Sequence, residues 1–224
     1  MVLIKKGKEP RSLTEYRSQP NSTYEGFRQK DDVRKQLLEE QGYLCAYCMR
    51  RISLNSMKIE HWKAQNAEDG TGADHALEYR NMLGVCLGNL SYPYAAQTCD
   101  THRGNTELFV DPRTPEHIKR IEYDAHGRIY SKDERINRDL DQILNLNGQT
   151  TYLKEGRKEA IRTLQQYLLA KQPDGTWNEH LLERVRKVYM EKKDGKYEPY
   201  LGAILFFLDK YLRKAQGSHT SKST

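Results

Sequence analysis

From about residue 132 onward, apolar side chains recur every three and four positions. Ala160, Ile161, Leu164, Tyr167 and Leu168 form one run. Leu181, Leu182, Val185, Val188 and Tyr189 form a second, and Leu201, Ile204, Leu205, Leu208 and Leu212 a third. That spacing lines one stripe of an α-helix and predicts three helices, with turn residues in "QPDGTWN" and "KKDGKYEP" between them. Further upstream, "DDVRKQLLEEQG" predicts another helix. Val33, Leu37 and Leu38 share a face, Asp31 and Asp32 suit its positive end, and Gly42 is a stop. "HIKRIEYDAHGRIYS" predicts a hairpin, with Ile118, Ile121 and Tyr123 before the turn, Ile129 after it, and Gly127 supplying positive φ. Between Cys45 and Asn105 the pattern is irregular, rich in Gly, Asn and Cys. Residues 5–30 are polar, carry Pro10 and Pro20, and read as an extended arm, and "AQGSHTSKST" reads as a disordered tail. No internal repeat is visible. The expected organisation is an arm over 1–30, a cysteine-bearing core over 31–131, a helical region over 132–216 and a tail over 217–224. The fold class is α+β, mostly helical.

Composition narrows the setting. Of 224 residues, 37% are hydrophobic and 30% charged, with a mean hydropathy of −0.91, which describes a soluble protein with a modest core. No run approaches the roughly 18 apolar residues of a membrane span, and "LGAILFFL" is too short. "MVLIKKGKEP" lacks the features of a secretory signal, so the expected location is the cytoplasm. There, four cysteines are thiolates or metal ligands rather than disulfides. A net charge of +6 and a pI near 9.0 fit a phosphate-bearing partner, and fit a merely basic protein equally well.

"CAYC" sets Cys45 and Cys48 at the spacing of a zinc knuckle, and Cys86 and Cys99 complete four thiolates, enough for a tetrahedral structural zinc. Twelve residues separate Cys86 from Cys99, where a second knuckle usually has two. "CDTH" offers another fourth ligand, since Cys99 and His102 make a Cys-x-x-His knuckle and a Cys3His site without Cys86. A third reading has no zinc and four cysteines packed as small apolar residues.

Between the cysteines lies "MKIEHWKAQN". If Lys58 to His61 form a strand, Glu60 and His61 point to opposite sides and serve different roles. A histidine suits deprotonation of water near neutral pH, and a carboxylate is a hard ligand for Mg²⁺. Standing alone, the pair reads more simply as a hydrogen-bonded histidine beside an acid.

The pair is not alone. "YRNML" and "CDTHRGN" follow, and the order CxxC, EH, N, C, CD resembles that of zinc-supported HNH endonucleases at Cys45, Cys48, Glu60, His61, Asn81, Cys86, Cys99 and Asp100. The blocks "KKGKEPRSLTEY", "LLEEQGYLCAYCMRRI", "IEHWKAQ", "CDTHRGN" and "LNLNGQTTYLKEGRKEAI" further resemble the PtuB family of Septu-type and retron-associated anti-phage nuclease subunits, up to about residue 165.

The resemblance implies a ββα-metal core of two strands and a helix. It makes His61 the general base, Glu60 the first ligand of a catalytic Mg²⁺ or Mn²⁺, and Asn81 the residue that braces the loop and orients the histidine. Asp100 falls where the pattern has a final His or Asn and becomes the second metal ligand, with His102 as the second candidate for that role. The zinc only fixes the fold. Implied partners are an ABC/SMC-like ATPase of the PtuA type, a retron reverse transcriptase with its RNA–DNA hybrid, and a DNA or RNA substrate. Lys63, Arg103, Arg50 and Arg51 lie near the site in sequence and are candidate phosphate contacts. The helical half is expected to dock on a partner, through Tyr197, Tyr200, Phe206 and Phe207 unless these are core. Two rival readings stand beside the nuclease. One is a catalytically inactive zinc-bearing adaptor, and the other a plain helical interaction protein, which explains 132–216 but not the ordered motif.

Overall fold

The computed structural model describes residues 1–65, 72 and 75–220. The N-terminal segment, expected to be an extended arm, instead carries helix α1 (Arg11–Arg17). It also buries Met1, Ile4, Leu13 and Phe27 in the core. Its few apolar residues are spaced widely enough to hide their periodicity, and burying them is what fixes the segment. Helix α2 (Lys30–Glu40) follows as expected, with Val33, Leu37 and Leu38 buried and Gly42 at φ 59° beyond its end.

Strands β1 (Met57–His61) and β2 (Met82–Cys86) pair antiparallel, with Glu60 opposite Leu83 and His61 opposite Met82. Every residue of β2 is buried. Gln41, just past α2, clamps this pair. Its amide donates to Gly84 O at 2.7 Å and accepts from Gly84 N at 2.7 Å. The short helix α3 (Cys99–Arg103) packs against β2. Helix α4 (Pro115–Lys119) takes in Ile118, which the hydrophobic pattern had assigned to the hairpin. The hairpin itself is β3 (Ile121–Tyr123) with β4 (Ile129–Ser131). Gly127 turns it at φ 80°, and a β-carbon there would collide with Lys154 O, so both the backbone angle and the space demand glycine.

Helix α5 (Glu134–Arg138) runs into a wide turn over Asp139–Ile143, and Asp139 accepts from Phe109 N and Val110 N at 2.5 and 2.7 Å. Helices α6 (Leu153–Lys171), α7 (Glu179–Met190) and α8 (Leu201–Thr220) match the three predicted runs. Helix α8 packs on α6, α7 and β3 and includes residues 215–220, which the sequence placed in a tail; residues 221–224 lie outside the described residues. Phe207 is buried, and Tyr197, Tyr200 and Phe206 pack half-buried against the same core, so they are core rather than a docking face. One hydrophobic cluster joins Met1, Phe27, Leu83, Ile129, Leu164 and Leu208, so the N-terminal, cysteine-bearing and helical segments share a core. Among the described residues, no helix is long and apolar enough to cross a membrane.

Candidate functional site

Three pieces of backbone deliver the cysteines. Cys45 and Cys48 sit on a tight turn closed by Cys45 N to Arg50 O (2.9 Å) and Met49 N to Cys45 O (3.0 Å). Cys86 ends β2, and Cys99 opens α3, its N–H held by Leu144 O at 2.9 Å. All four are buried and free of disulfides, and their sulfurs lie within 4.8 Å of one another. The Cys45–Cys99, Cys48–Cys86 and Cys86–Cys99 separations are 3.9, 3.7 and 3.7 Å. Zinc–sulfur bonds of about 2.3 Å in a tetrahedron place sulfurs about 3.8 Å apart. The cluster therefore fits a tetrathiolate metal ion without rearrangement, and zinc is the ion that donor set suits. Hydrogen bonds from the other three thiols hold the Cys86 thiol well below its usual range, with Arg50 adding to the effect.

His102 does not complete this cluster. Its Nδ1 lies 2.9 Å from Ile143 O and its ring stacks on Tyr94 at 4.1 Å. The fourth sulfur is Cys86.

Beside the cysteines, β1 and α3 bring two carboxyl groups together. Glu60 is buried, and its Oε1 accepts from Tyr47 OH at 3.0 Å and from Arg103 Nη1. Asp100 lies beside Glu60, close enough for the two carboxyl groups to interact, and pairs with Lys58 Nζ at 2.5 Å through Oδ2. Lys58 also donates to Thr101 Oγ1 at 2.8 Å. Burial, then the interaction with Asp100 and its charge, push the Glu60 carboxyl well above the usual range, outweighing Arg103 and Tyr47. Burial also raises Asp100, but its interactions with Glu60 and Lys58 prevail and hold it below the usual range. Two carboxyls this close disfavour ionising together, and carboxylate oxygens are the donors a hard divalent cation takes. Tyr47 and Arg103 both hold Glu60 through Oε1.

His61, the next residue of β1, makes its own set of contacts, and Asp100 is near enough for its charge to act on the imidazole. Its Nε2 lies 2.9 Å from Ala76 O, which makes Nε2 the protonated nitrogen and leaves Nδ1 as the acceptor. Gln65 Nε2 donates to that Nδ1 at 3.0 Å, and Tyr24 packs edge-on to the ring at 4.5 Å. Burial lowers the His61 pKa below 6.5, against a raising effect from the Ala76 bond and Asp100. The imidazole is neutral at pH 7. Asn81 is buried and ties the neighbouring loop: Oδ1 accepts from Lys63 N at 2.8 Å, and Nδ2 donates to Lys63 O and His75 O at 3.0 and 3.2 Å. That loop carries Ala76, so Asn81 holds the carbonyl that anchors His61.

The candidate phosphate contacts fare differently. Arg103 is 3% exposed and spends its donors on Glu60 and the carbonyls of His61, Trp62 and Thr106. It builds the carboxylate site and does not face solvent. Arg50 turns inward to Cys86 Sγ (3.5 Å) and Thr98 Oγ1 (3.2 Å), supplying positive charge to the thiolates. Arg51 donates to the backbone carbonyls of Gly42 and Tyr197. Lys63 is half-buried beside Asn81. Sequence reasoning missed Tyr47, Lys58, Gln65 and Tyr24. Lys58 was accessible to it, because two residues before Glu60 in a strand is the same face.

No protein-family model matches the chain. It is similar to an Escherichia coli protein named "Retron Ec83 putative HNH endonuclease", 30% identical over 123 residues, covering 48% of this chain and 47% of that protein. It is also similar to a Vibrio cholerae protein named "Retron Vc95 putative HNH endonuclease", 26% identical over 139 residues, covering 60% of this chain and 66% of that protein. The matches thus span about half to two thirds of the length of these curated relatives. At this modest identity they support an HNH endonuclease.

Proposed function

We propose that the chain is the HNH endonuclease subunit of an anti-phage defence system, hydrolysing nucleic-acid phosphodiester bonds. In this reading β1, β2 and α3 form a zinc-supported ββα-metal core. The observation that carries it is the meeting of Glu60 and Asp100 beside four cysteines at tetrahedral spacing, with neutral, anchored His61 next along the strand.

His61 Nδ1 takes a proton from water, whose oxygen attacks phosphorus as the bond to the 3′-oxygen breaks, and the departing 3′-oxygen takes a proton from solvent. The Ala76 carbonyl stabilises the imidazolium through Nε2–H, and Gln65 gives way to the water. Glu60 and Asp100 would hold one Mg²⁺ or Mn²⁺, which supplies charge stabilisation at the phosphate. Arg103 and Tyr47 fix Glu60 in place, and Asn81 fixes the His61 anchor. The four cysteines hold zinc and keep α3, with Asp100, against β2.

Two settings follow from similarity. The names of both relatives support a retron setting, to which the PtuB resemblance adds a reverse transcriptase with its RNA–DNA hybrid. The PtuB resemblance supports a PtuA-type ABC/SMC-like ATPase that restrains the nuclease.

The test is a panel of DNA and RNA substrates with Mg²⁺ or Mn²⁺, with and without chelator, on the purified chain and on the chain with its co-purified partner. Metal-dependent cutting that disappears in His61→Ala is expected. A second reading, the inactive zinc-bearing adaptor, draws on the internal cations Arg103 and Lys58 that already pair with the two carboxylates. No cleavage under any condition, with nucleic acid or partner still bound, would establish that reading instead.

A further inference from the structure

The segment between β2 and α3 carries an unusual surface. Leu87, Leu90, Tyr92 and Tyr94 are 43%, 63%, 64% and 64% exposed, and Tyr152 is 75% exposed. They belong to one place. Thr150 Oγ1 and Asn145 Nδ2 both donate to Ala95 O, which brings the turn before Tyr152 against the loop of Tyr92 and Tyr94. The loop is also held from within. Asn89 Nδ2 donates to Ala96 O at 2.8 Å, Thr98 N to Gly88 O at 3.0 Å, and Gln97 Nε2 to Tyr92 O at 3.0 Å. Large apolar side chains on a loop tied at so many points are presented, not merely left over.

The surface adjoins α3, the helix that carries Asp100. Tyr94 stacks on His102 of α3 with centroids 4.1 Å apart and planes at 19°, and its hydroxyl donates to His102 O at 3.3 Å. Thr101 of the same helix donates to Leu87 O at 3.0 Å while receiving Lys58. Asp100 lies one residue before Thr101 and two before His102.

We propose that Tyr92, Tyr94 and Tyr152 form a stacking subsite for unpaired nucleobases, which selects single-stranded segments of the substrate for the adjacent centre. This rests on the nuclease reading and deepens it. Phenol rings stack on any base and keep their polar edge in water, and the near-parallel Tyr94–His102 pair already shows the arrangement that a base extends. Bases in a duplex have both faces occupied by their neighbours, so only unpaired ones can use the rings. The adjoining carboxylate site, in the nuclease reading, is what favours a nucleic-acid strand on this surface over a protein partner.

The test is binding of fluorescent oligothymidylate and oligouridylate, and of a duplex of the same length, to full-length chain carrying His61→Ala so that nothing is cut. Tighter binding of the single strands than of the duplex is expected. Tyr92→Ala with Tyr94→Ala and Tyr152→Ala should weaken single-strand binding about tenfold or more, the order expected for lost base stacks. Phenylalanine at the three positions should retain it, and leucine should not. Zinc content is the check on folding. Unchanged single-strand affinity in the alanine variant, or equal affinity for the duplex, overturns the subsite. So does a variant that instead abolishes self-association or capture of a partner protein. The subsite and the nuclease fail separately. A wild-type chain that binds single strands through the tyrosines but never cuts loses only the nuclease reading. One that cuts duplex and single strands alike, indifferent to the tyrosines, loses only the subsite.

Discussion

Glu60 of β1 and Asp100 of α3 lie close enough for their carboxyl groups to interact, yet each is held by a different cation, Arg103 on Glu60 and Lys58 on Asp100. The two are not equivalent. Arg103 and Glu60 have side-chain exposures of 1% and 6%, whereas those of Lys58 and Asp100 are 32% and 19%. Glu60→Ala strands a buried guanidinium and the Tyr47 hydroxyl, and should cost about 3 kcal/mol of stability. Asp100→Ala should cost about 1 kcal/mol, because water reaches Lys58. Both should lose metal-dependent cleavage. Urea denaturation set beside a cleavage assay checks this, and equal stability losses would refute the assigned asymmetry.

His61→Ala should lower cleavage by about a hundredfold or more, the usual range for a general base, with folding and zinc content unchanged. Full activity in that variant would sink the assignment. The pH profile has a definite sign. Burial lowers the His61 pKa, so the base stays neutral at pH 6.5 and above. Activity should therefore persist through pH 6.5 and fall only on further acidification. A limb centred above pH 6.5 would contradict it.

The cysteine cluster predicts one zinc per chain and a fold that depends on it. Cys48→Ser removes one of four buried sulfurs and should lose zinc and solubility together, as should strong chelation. Elemental analysis with circular dichroism reads both. A soluble, metal-free and active Cys48→Ser protein would refute the structural role.

The legible parts of this molecule were those written in short-range pattern. The runs at 160–168, 181–189 and 201–212 became α6, α7 and α8, and Gly127 turned the hairpin, because 3.6-residue periodicity and a positive φ leave direct marks in sequence. The four cysteines likewise met, with His102 outside their cluster. What was not legible depends on contacts between distant segments. Nothing local says that Arg103 turns inward to Glu60, that Arg50 turns to Cys86, or that Phe27 and Leu13 bury the N-terminal segment. An arginine near a site reads as a phosphate ligand until a buried carboxylate is seen to need it.

Asn81 tests whether His61 acts through its anchor. Among the described residues the amide bonds Lys63 N, Lys63 O and His75 O, and not His61 itself. Its effect therefore passes through the loop to Ala76 O, which fixes the Nε2–H tautomer and aims Nδ1 at the water. Asn81→Ala should lower kcat about tenfold to a hundredfold, the cost of a slightly misplaced catalytic group, while leaving metal affinity and substrate binding near wild type. Asn81→Asp keeps the acceptor for Lys63 N but meets the two carbonyls with a carboxylate, so it should be worse than alanine. Kinetics and metal titration on the two variants separate this from a direct ligand role. If Asn81 were a metal ligand, aspartate would rescue metal binding and alanine would abolish it, the reverse of the order expected here.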